Sequence, residues 1–253
     1  MLEEYNRLYA LFGAPLPLIY ATGIPRFDIY FSPINDRSSI SRFQKKYQIN
    51  GSDKIILFAT SAPVHFPNQT DIVKHLLQYS ARKQNIKIIV RCHPSDDFKL
   101  YEQFQNEANC RIWYENNFKE NSLVSSKFPD LHTLHGLYEM LEYCNVCINV
   151  ASTIRLEAAA CNKPGISIAY DGDVSLPFPH SVKRFYSYNH QIPLNNMGID
   201  TMVYSKNELF NALDKTFSSS VKRSYHEKIR KFIHHSGPFA VSNTMNYIQQ
   251  WLG

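Results

Sequence analysis

Polar and ionisable side chains follow four apolar runs of the chain, at the point where each run ends. Hydroxyl, guanidinium and imidazole groups bind phosphate oxygens through hydrogen bonds that are strengthened by charge. Because the carboxyl ends of parallel strands meet at one edge of a sheet, we expect these side chains to line one ligand site. The candidate residues are Ser61, Arg91, His93, Ser152, Thr153 and Asp171.

His93 is the candidate for the chemical step. An imidazole titrates near neutral pH, so it could donate to a phosphate or protonate a leaving phosphate oxygen. Pro94 follows it directly, which suits a strand that leaves the sheet for a helix capped by Ser95 or Asp96. A histidine bonded to the backbone of a turn is the alternative.

Ser152 and Thr153 open a helix directly after a buried strand, where hydroxyl groups and backbone N–H groups can bind an anion. Ordinary helix capping also explains both residues. Glu157 follows one turn later and could accept hydrogen bonds from ribose hydroxyls. A solvated helix face or an ion pair with Arg155 is the alternative interpretation of this carboxylate.

Apolar runs and helix-length segments alternate along the chain, which predicts an α/β fold with a doubly wound, Rossmann-like parallel sheet and C-terminal helices. We predict strands at 54–61, 86–92, 110–114, 145–150, 164–170 and 202–204. We predict helices at 71–84, 96–107, 136–143, 152–161, 207–217, 221–235 and 239–252, and a loop or insertion at 115–133.

Residues 1–24 lie outside the alternation and are predicted to be an appendage or the remnant of an N-terminal domain. The predicted nucleotide-sugar-binding domain occupies residues 25–253. The chain has 253 residues, of which 44% are hydrophobic, enough for one α/β domain with a packed core. Its longest apolar runs are far shorter than the 20 or so residues of a membrane span.

Other common sites are not indicated. The five cysteines are an odd number in apolar segments, which predicts free thiols and a reducing cytosol. Cys144 and Cys147 have C-x-x-C spacing without a second pair, and His132 and His135 have no associated carboxylate motif, so we expect no metal. The sequence contains no P-loop, G-x-G-x-x-G or G-x-S-x-G motif.

The net charge of +5 is concentrated in residues 221–235, which hold five basic residues and one acid. This segment could contact anionic lipid, giving a peripheral membrane contact, although a solvated helix face explains it as well. We expect no nucleic-acid partner, because the basic residues have no associated recognition motif.

Together, several motifs resemble the C-terminal, donor-binding half of GT-B glycosyltransferases. The segment T-G-I-P-R-F-D at 22–28 is similar to enzymes related to CDP-glycerol glycerophosphotransferases. The H-P pair at 93–94 and the S-T pair at 152–153 resemble those of sialyl- and Kdo-transferases that use CMP-activated sugars. The L-E-A-A-A segment at 156–160 resembles the motif whose glutamate binds ribose in many GT-B enzymes.

The resemblance implies that His93 contacts the donor phosphate, Ser152 and Thr153 the phosphate or the CMP portion, and Glu157 the ribose. One departure concerns the donor: the D-Y-S-S stretch expected of glycerophosphotransferases is V-A-S-T at 150–153. A second Rossmann half, which supplies the acceptor site in this fold class, has no room in 253 residues.

The resemblance therefore implies the donor-binding half of a glycosyltransferase. Such an enzyme would move a sugar or alditol phosphate from a CMP- or CDP-linked donor to a glycan or lipid-linked acceptor of the cell surface. It would need no cofactor or metal and would act in the cytoplasm, or at the inner face of the membrane. The alternatives are a non-catalytic nucleotide-binding module and a protein similar to nucleotide-sugar epimerases.

Overall fold

The computed structural model describes residues 21–32, 37–114, 131–220, 224–234 and 237–252. These residues fall into two compact units. One unit lies within Pro33–Ile229, and the other is formed from parts of Met1–Ser32 and Arg230–Gly253. The predicted boundary after residue 24 stays a prediction, and most of the predicted loop at 115–133 lies outside the described residues.

A six-stranded, wholly parallel sheet forms the centre of the larger unit. Its spatial order is β3-β2-β1-β4-β5-β6, so the predicted doubly wound α/β fold is confirmed. The order reverses between β1 and β4, where sheets of this kind leave a crevice for a ligand. The strands are β1 Lys54–Ala59, β2 Ile86–Arg91, β3 Cys110–Trp113, β4 Val146–Asn149, β5 Gly165–Ile168 and β6 Asp200–Val203.

Eight α-helices are described, with three 3-10 helices at Pro25–Phe31, Phe98–Phe104 and Val182–Ser187. The first α-helix is not among those predicted, and the fifth is a single turn. Their bounds are α1 Arg37–Tyr47, α2 Gln69–Ala81, α3 Leu131–Tyr143, α4 Ile154–Ala160, α5 Ile192–Asn195, α6 Lys206–Ser218, α7 His226–Ile233 and α8 Ala240–Leu252.

The segment predicted as a helix at 96–107 is instead the 3-10 helix Phe98–Phe104. Its N-cap is Asp97, whose side chain accepts the N–H of Lys99, and not Ser95 or Asp96 as predicted. The Asp96 side chain is buried, with Oδ2 accepting side-chain donors and Oδ1 accepting the backbone N–H of Asp97 at 3.1 Å.

The apolar runs form a core on both faces of the sheet. Residues 55–59 of β1 are all buried, which is typical of a central strand covered by helices on both sides. The helix predicted at 221–235 is described as α7 over His226–Ile233, with Ile229 and Ile233 buried. Phe232 on the same helix is 37% exposed. Among the described residues, no helix is long and apolar enough to span a bilayer.

Candidate functional site

Three of the predicted segments meet where the strand order reverses. Within the sheet, Ala59 of β1 pairs with Arg91 of β2, and Phe58 of β1 pairs with Ile148 of β4. The residues that follow these strands therefore leave the sheet from adjacent positions at its carboxyl edge. They are Thr60 and Ser61 after β1, His93 after β2, and Ser152 after β4.

His93 is half-buried and held from two sides by hydrogen bonds. Its backbone N–H donates to Thr60 Oγ1 at 2.7 Å, and its ring Nδ1 accepts the backbone N–H of Ser95 at 3.1 Å. Because Nδ1 is an acceptor, the ring proton of the neutral imidazole must be on Nε2. The His93 ring is therefore bonded to the backbone of a turn, which was the alternative interpretation of this residue. Its Nε2–H group can still donate a hydrogen bond.

The electrostatic surroundings of His93 favour the neutral ring. Burial lowers the pKa of His93, and the nearby Arg91 and His65 lower it further, while Asp96 acts in the opposite direction. A neutral imidazole with its hydrogen on Nε2 can donate a hydrogen bond to a phosphate oxygen at pH 7.

Asp96 lies at the centre of a buried polar cluster beneath this edge. Its Oδ2 accepts hydrogen bonds from Thr60 Oγ1 at 2.6 Å, Tyr101 Oη at 2.7 Å and Gln69 Nε2 at 3.1 Å. Burial raises the pKa of Asp96, and the hydrogen bonds from Thr60, Tyr101 and the Asp97 N–H oppose that rise. The cluster connects the ends of β1 and β2. The sequence pattern indicates Asp96 only as a possible cap.

Ser61 is attached to the same cluster through Gln69. The Gln69 side chain accepts the Ser61 N–H at 2.8 Å and donates to the Ser61 carbonyl at 2.9 Å. Arg91, at the end of β2, stacks its guanidinium on the ring of Trp113, with 4.8 Å to the centroid. Both predicted residues are thus at the expected edge, and their contact with a donor stays a prediction.

The loop after β4 has an unusual backbone at Ala151, where φ is +44°. This left-handed conformation costs about 1–2 kcal/mol for a residue with a Cβ atom. Side chains hold the loop there: the Ala151 N–H donates to Tyr186 Oη at 2.9 Å, and its carbonyl accepts Gln191 Nε2 at 3.0 Å. The Ser152 N–H donates to Asn149 Oδ1 at 3.2 Å.

The hydroxyl groups of Ser152 and Thr153 lie at the start of α4. Ser152 Oγ accepts the Ile154 N–H at 3.3 Å, so its own hydrogen remains for a further acceptor. Thr153 is the N-cap residue, is exposed, and makes no side-chain capping bond. The bond from Ile154 leaves the Ser152 hydroxyl able to donate to a phosphate, and the exposed Thr153 hydroxyl could do the same. The contact of either residue with a phosphate stays a prediction.

Glu157 is 3% exposed, which excludes the alternative of a solvated helix face. The second alternative was an ion pair with Arg155. The Arg155 guanidinium pairs instead with Asp200, and it donates to Gln191 at 3.0 Å and Asn195 at 2.9 Å. The predicted contact of Glu157 with ribose stays a prediction.

Asp171 is buried, and both of its carboxylate oxygens accept backbone hydrogen bonds. Its Oδ1 accepts the Val182 N–H at 2.8 Å, and its Oδ2 accepts the Leu176 N–H at 3.4 Å. These bonds shape the loop that follows β5. The predicted contact of Asp171 with a donor stays a prediction.

The cysteines of the C-x-x-C segment are packed in the core, and the histidine pair lies on the surface. Cys144 and Cys147 are free and buried, and burial raises the pKa of Cys144 to about 12. His132 and His135 are exposed on α3. Within the described residues, no group of three or more histidine, cysteine or acidic side chains could hold a metal ion.

A groove between α2 and α6 involves none of the predicted residues. It is lined by Tyr79, Arg82, Lys83, Phe210 and Asp214, among others. Lys83 pairs with Asp214 at 2.8 Å, and the Arg82 guanidinium lies 5.4 Å from the Phe210 ring centroid. Because the charged side chains of the groove pair with one another or with a ring, we assign no function to this groove.

Comparison with known proteins gives one curated relative in sequence. The chain is 26% identical over 178 residues to the teichoic acid poly(ribitol-phosphate) polymerase of Bacillus spizizenii. The match covers 68% of this chain and only 26% of that protein. No protein-family model matches the chain.

Solved structures show the same fold. The UDP-GlcNAc 2-epimerase of Methanocaldococcus jannaschii has a TM-score of 0.57 at 14% identity, over 97% of this chain and 60% of that chain. The wall teichoic acid polymerase TagF, in a structure soaked with CDPG, has a TM-score of 0.50 at 17% identity, over 90% of this chain and 49% of that chain. The chain is therefore similar in sequence to a teichoic acid polymerase and has the fold of a GT-B C-terminal domain, as its motifs predicted.

Proposed function

We propose that the chain is the donor-binding half of a glycosyltransferase-type enzyme, which transfers a sugar or an alditol phosphate from a CMP- or CDP-linked donor. The sequence similarity to a teichoic acid polymerase supports this class of reaction. The likeness to a TagF structure soaked with CDPG supports a cytidine nucleotide. The acceptor in this proposal is a glycan or a lipid-linked component of the cell surface.

The observation that carries the proposal is the tautomer of the His93 ring, which lies beside the crevice between β1 and β4. The Ser95 N–H occupies Nδ1, so the ring presents Nε2–H as a hydrogen-bond donor. A donor at this edge can bind the phosphate next to the bond that breaks, and it can stabilise the charge that develops on the leaving oxygen. Ser152 Oγ, with its hydrogen available, would bind a second phosphate oxygen.

Calorimetric titration of the chain with CMP, CDP and UDP tests the proposal. We expect CDP to bind more tightly than CMP, because the second phosphate adds hydrogen bonds with His93 and Ser152. His93→Ala removes the Nε2–H donor and should weaken CDP binding about tenfold, the effect of losing one hydrogen bond to a charged group. His234→Asn, at an exposed histidine, is the matched control and should leave the affinity unchanged.

The alternatives predict other results. A preference for UDP would contradict the cytidine donor and favour the epimerase-like alternative, since UDP-GlcNAc 2-epimerases share this fold. Equal binding of CDP by wild type and His93→Ala would favour a nucleotide-binding module in which His93 is structural. No heat with any nucleotide from a folded sample would overturn the proposal.

A peripheral membrane contact through α7 belongs to the same proposal. Lys231 is exposed on this helix, and each basic residue near an anionic surface contributes about 1 kcal/mol. Sedimentation with phosphatidylglycerol vesicles at low and high salt tests it. Binding that does not depend on salt, or no binding, would contradict an electrostatic contact.

A further inference from the structure

One buried carboxylate connects two of the segments that carry the proposed site. Asp96 is 5% exposed, and three side-chain donors converge on its Oδ2 atom from three different elements. They are Thr60 after β1, Gln69 at the start of α2, and Tyr101 in the 3-10 helix after β2. Burying a charge requires such compensation, so the cluster is a costly arrangement if it serves only to fill space.

We propose that Asp96 is a positioning residue of the donor site, which acts through Thr60 on His93 and through Gln69 on Ser61. The inference rests on the proposed function, because it assigns a role to the environment of the phosphate-binding groups. Asp96 itself has no direct contact with a donor in this proposal.

The link to His93 follows from the single hydrogen of the Thr60 hydroxyl group. Thr60 has one hydroxyl hydrogen, which it donates to the Asp96 carboxylate at 2.6 Å. Its lone pairs are then directed away from Asp96, and one of them accepts the backbone N–H of His93 at 2.7 Å. Asp96 therefore fixes the direction of the bond that holds the His93 backbone, from which the ring extends.

The link to Ser61 depends on the orientation of an amide. Gln69 Nε2 donates both to Asp96 and to the Ser61 carbonyl, and Gln69 Oε1 accepts the Ser61 N–H. A flipped amide would direct a carbonyl oxygen at the Asp96 carboxylate and would break both bonds to Ser61. The Asp96 carboxylate thus stabilises the same Gln69 orientation that the Ser61 backbone requires.

A structural role alone is the competing explanation, because any buried hydrogen-bond cluster contributes to stability. The two explanations differ in what they predict for His93. A positioning role requires that loss of the Thr60 hydroxyl changes the His93 ring and the affinity for nucleotide. A structural role requires only a lower melting temperature.

Thr60→Val and Thr60→Ser form the decisive pair, because valine keeps the shape of threonine without the hydroxyl and serine keeps the hydroxyl. Long-range ¹H–¹⁵N NMR of the nucleotide-free chain measures the His93 tautomer, and calorimetry with CDP measures affinity. We expect Thr60→Val to lose the uniform Nε2–H tautomer and to bind CDP about tenfold more weakly, with Thr60→Ser within about twofold of wild type.

Asp96→Asn and Asp214→Asn extend the test to the carboxylate. Asp214 also accepts a tyrosine hydroxyl, from Tyr79 at 2.9 Å, but it lies in the groove between α2 and α6. We expect the Asp96 variant to resemble Thr60→Val and the Asp214 variant to resemble wild type. Where Asp96→Asn does not fold, Tyr101→Phe removes one donor to Oδ2 and keeps the ring, and it should give a smaller change of the same kind.

The outcomes separate this proposal from the proposed function. An unchanged His93 tautomer in folded Thr60→Val, with wild-type affinity for CDP, would overturn the positioning role. A changed tautomer in a chain whose wild type binds no CDP would support the positioning of His93 while contradicting the proposed function.

Discussion

Arg155 and Asp200 form a buried ion pair beneath the loop that follows β4, with 2.7 Å between Nε and Oδ2 and 2.9 Å between Nη2 and Oδ1. The Arg155 side chain is 0% exposed and that of Asp200 is 4% exposed. Ser167 Oγ donates to the same carboxylate. The pair joins α4 to the start of β6, and it holds in place the helix that carries Glu157.

Breaking this pair should strongly destabilise the protein. Arg155→Met leaves the Asp200 carboxylate buried without its cation, and the loss of one partner from a buried pair costs about 3–5 kcal/mol. Urea denaturation measures the free energy of unfolding. Lys83→Met, which breaks the pair with Asp214 whose side chains are 45% and 49% exposed, is the control and should cost less than about 1 kcal/mol. Equal losses of unfolding free energy from Arg155→Met and Lys83→Met would contradict the greater stabilisation that we assign to the buried pair.

The sheet could be predicted from the sequence because its strands are nearly continuous apolar runs. Burial on both faces demands such runs, and four of the six strand ends carry polar residues that are visible without a structure. The identity of the edge residues His93 and Ser152 followed from the same pattern. The bounds of the strands were predicted less accurately than their existence. β1 stops at Ala59: the Thr60 N–H still donates to the Arg91 carbonyl of β2, but the Ser61 N–H donates to the Gln69 side chain.

The supporting contacts could not be predicted, because they join residues distant in sequence. Asp200 lies 45 residues after Arg155, and Tyr186 lies 35 residues after Ala151. No spacing rule connects such pairs before the topology is known. The position of Asp96 after Pro94 and Ser95 predicts a helix cap. Only its hydrogen bonds with Tyr101 and Gln69 show that the side chain turns inward.

Tyr186 should be needed for both stability and nucleotide binding. Its hydroxyl donates to the Ile168 carbonyl at 2.7 Å and accepts the Ala151 N–H at 2.9 Å. Tyr186→Phe leaves both buried groups without this partner, which should cost about 1–3 kcal/mol and loosen the loop before Ser152. Chemical denaturation and CDP titration measure the two effects. Tyr188→Phe, at a residue that is 45% exposed, should change neither quantity; a similar loss there would count against the prediction.

Ala151→Gly should stabilise the protein, although glycine usually destabilises. At φ +44° the alanine Cβ is strained, and glycine removes this strain, which outweighs the greater entropy that glycine gives the unfolded chain. We expect a gain of up to about 1 kcal/mol in the free energy of unfolding. Ala108→Gly, at an exposed alanine without a positive φ, should instead lose about 0.5–1 kcal/mol. Changes of the same sign at both positions would refute the strain at Ala151.

The lowered pKa of His93 should make stability depend on pH. Burial is the largest cause of the lowering from the ordinary value of 6.5, so the unfolded chain binds a proton at a higher pH than the folded chain does. Stability from this residue is therefore fully present above pH 6.5 and is lost as the pH falls through the folded pKa.

The matched variant for this prediction is His93→Asn, whose side-chain oxygen can accept the Ser95 N–H in place of Nδ1 and which does not titrate. Urea denaturation between pH 5 and 7.5 measures the free energy of unfolding of both proteins. We expect the wild type to lose stability relative to the variant as the pH falls below 6.5, and the difference to be constant above it. A constant difference over the whole range would show that the folded state does not resist protonation of His93. A difference that changes in the opposite direction would mean that the ring is charged when folded, and it would remove the neutral Nε2–H donor on which the proposed phosphate contact depends.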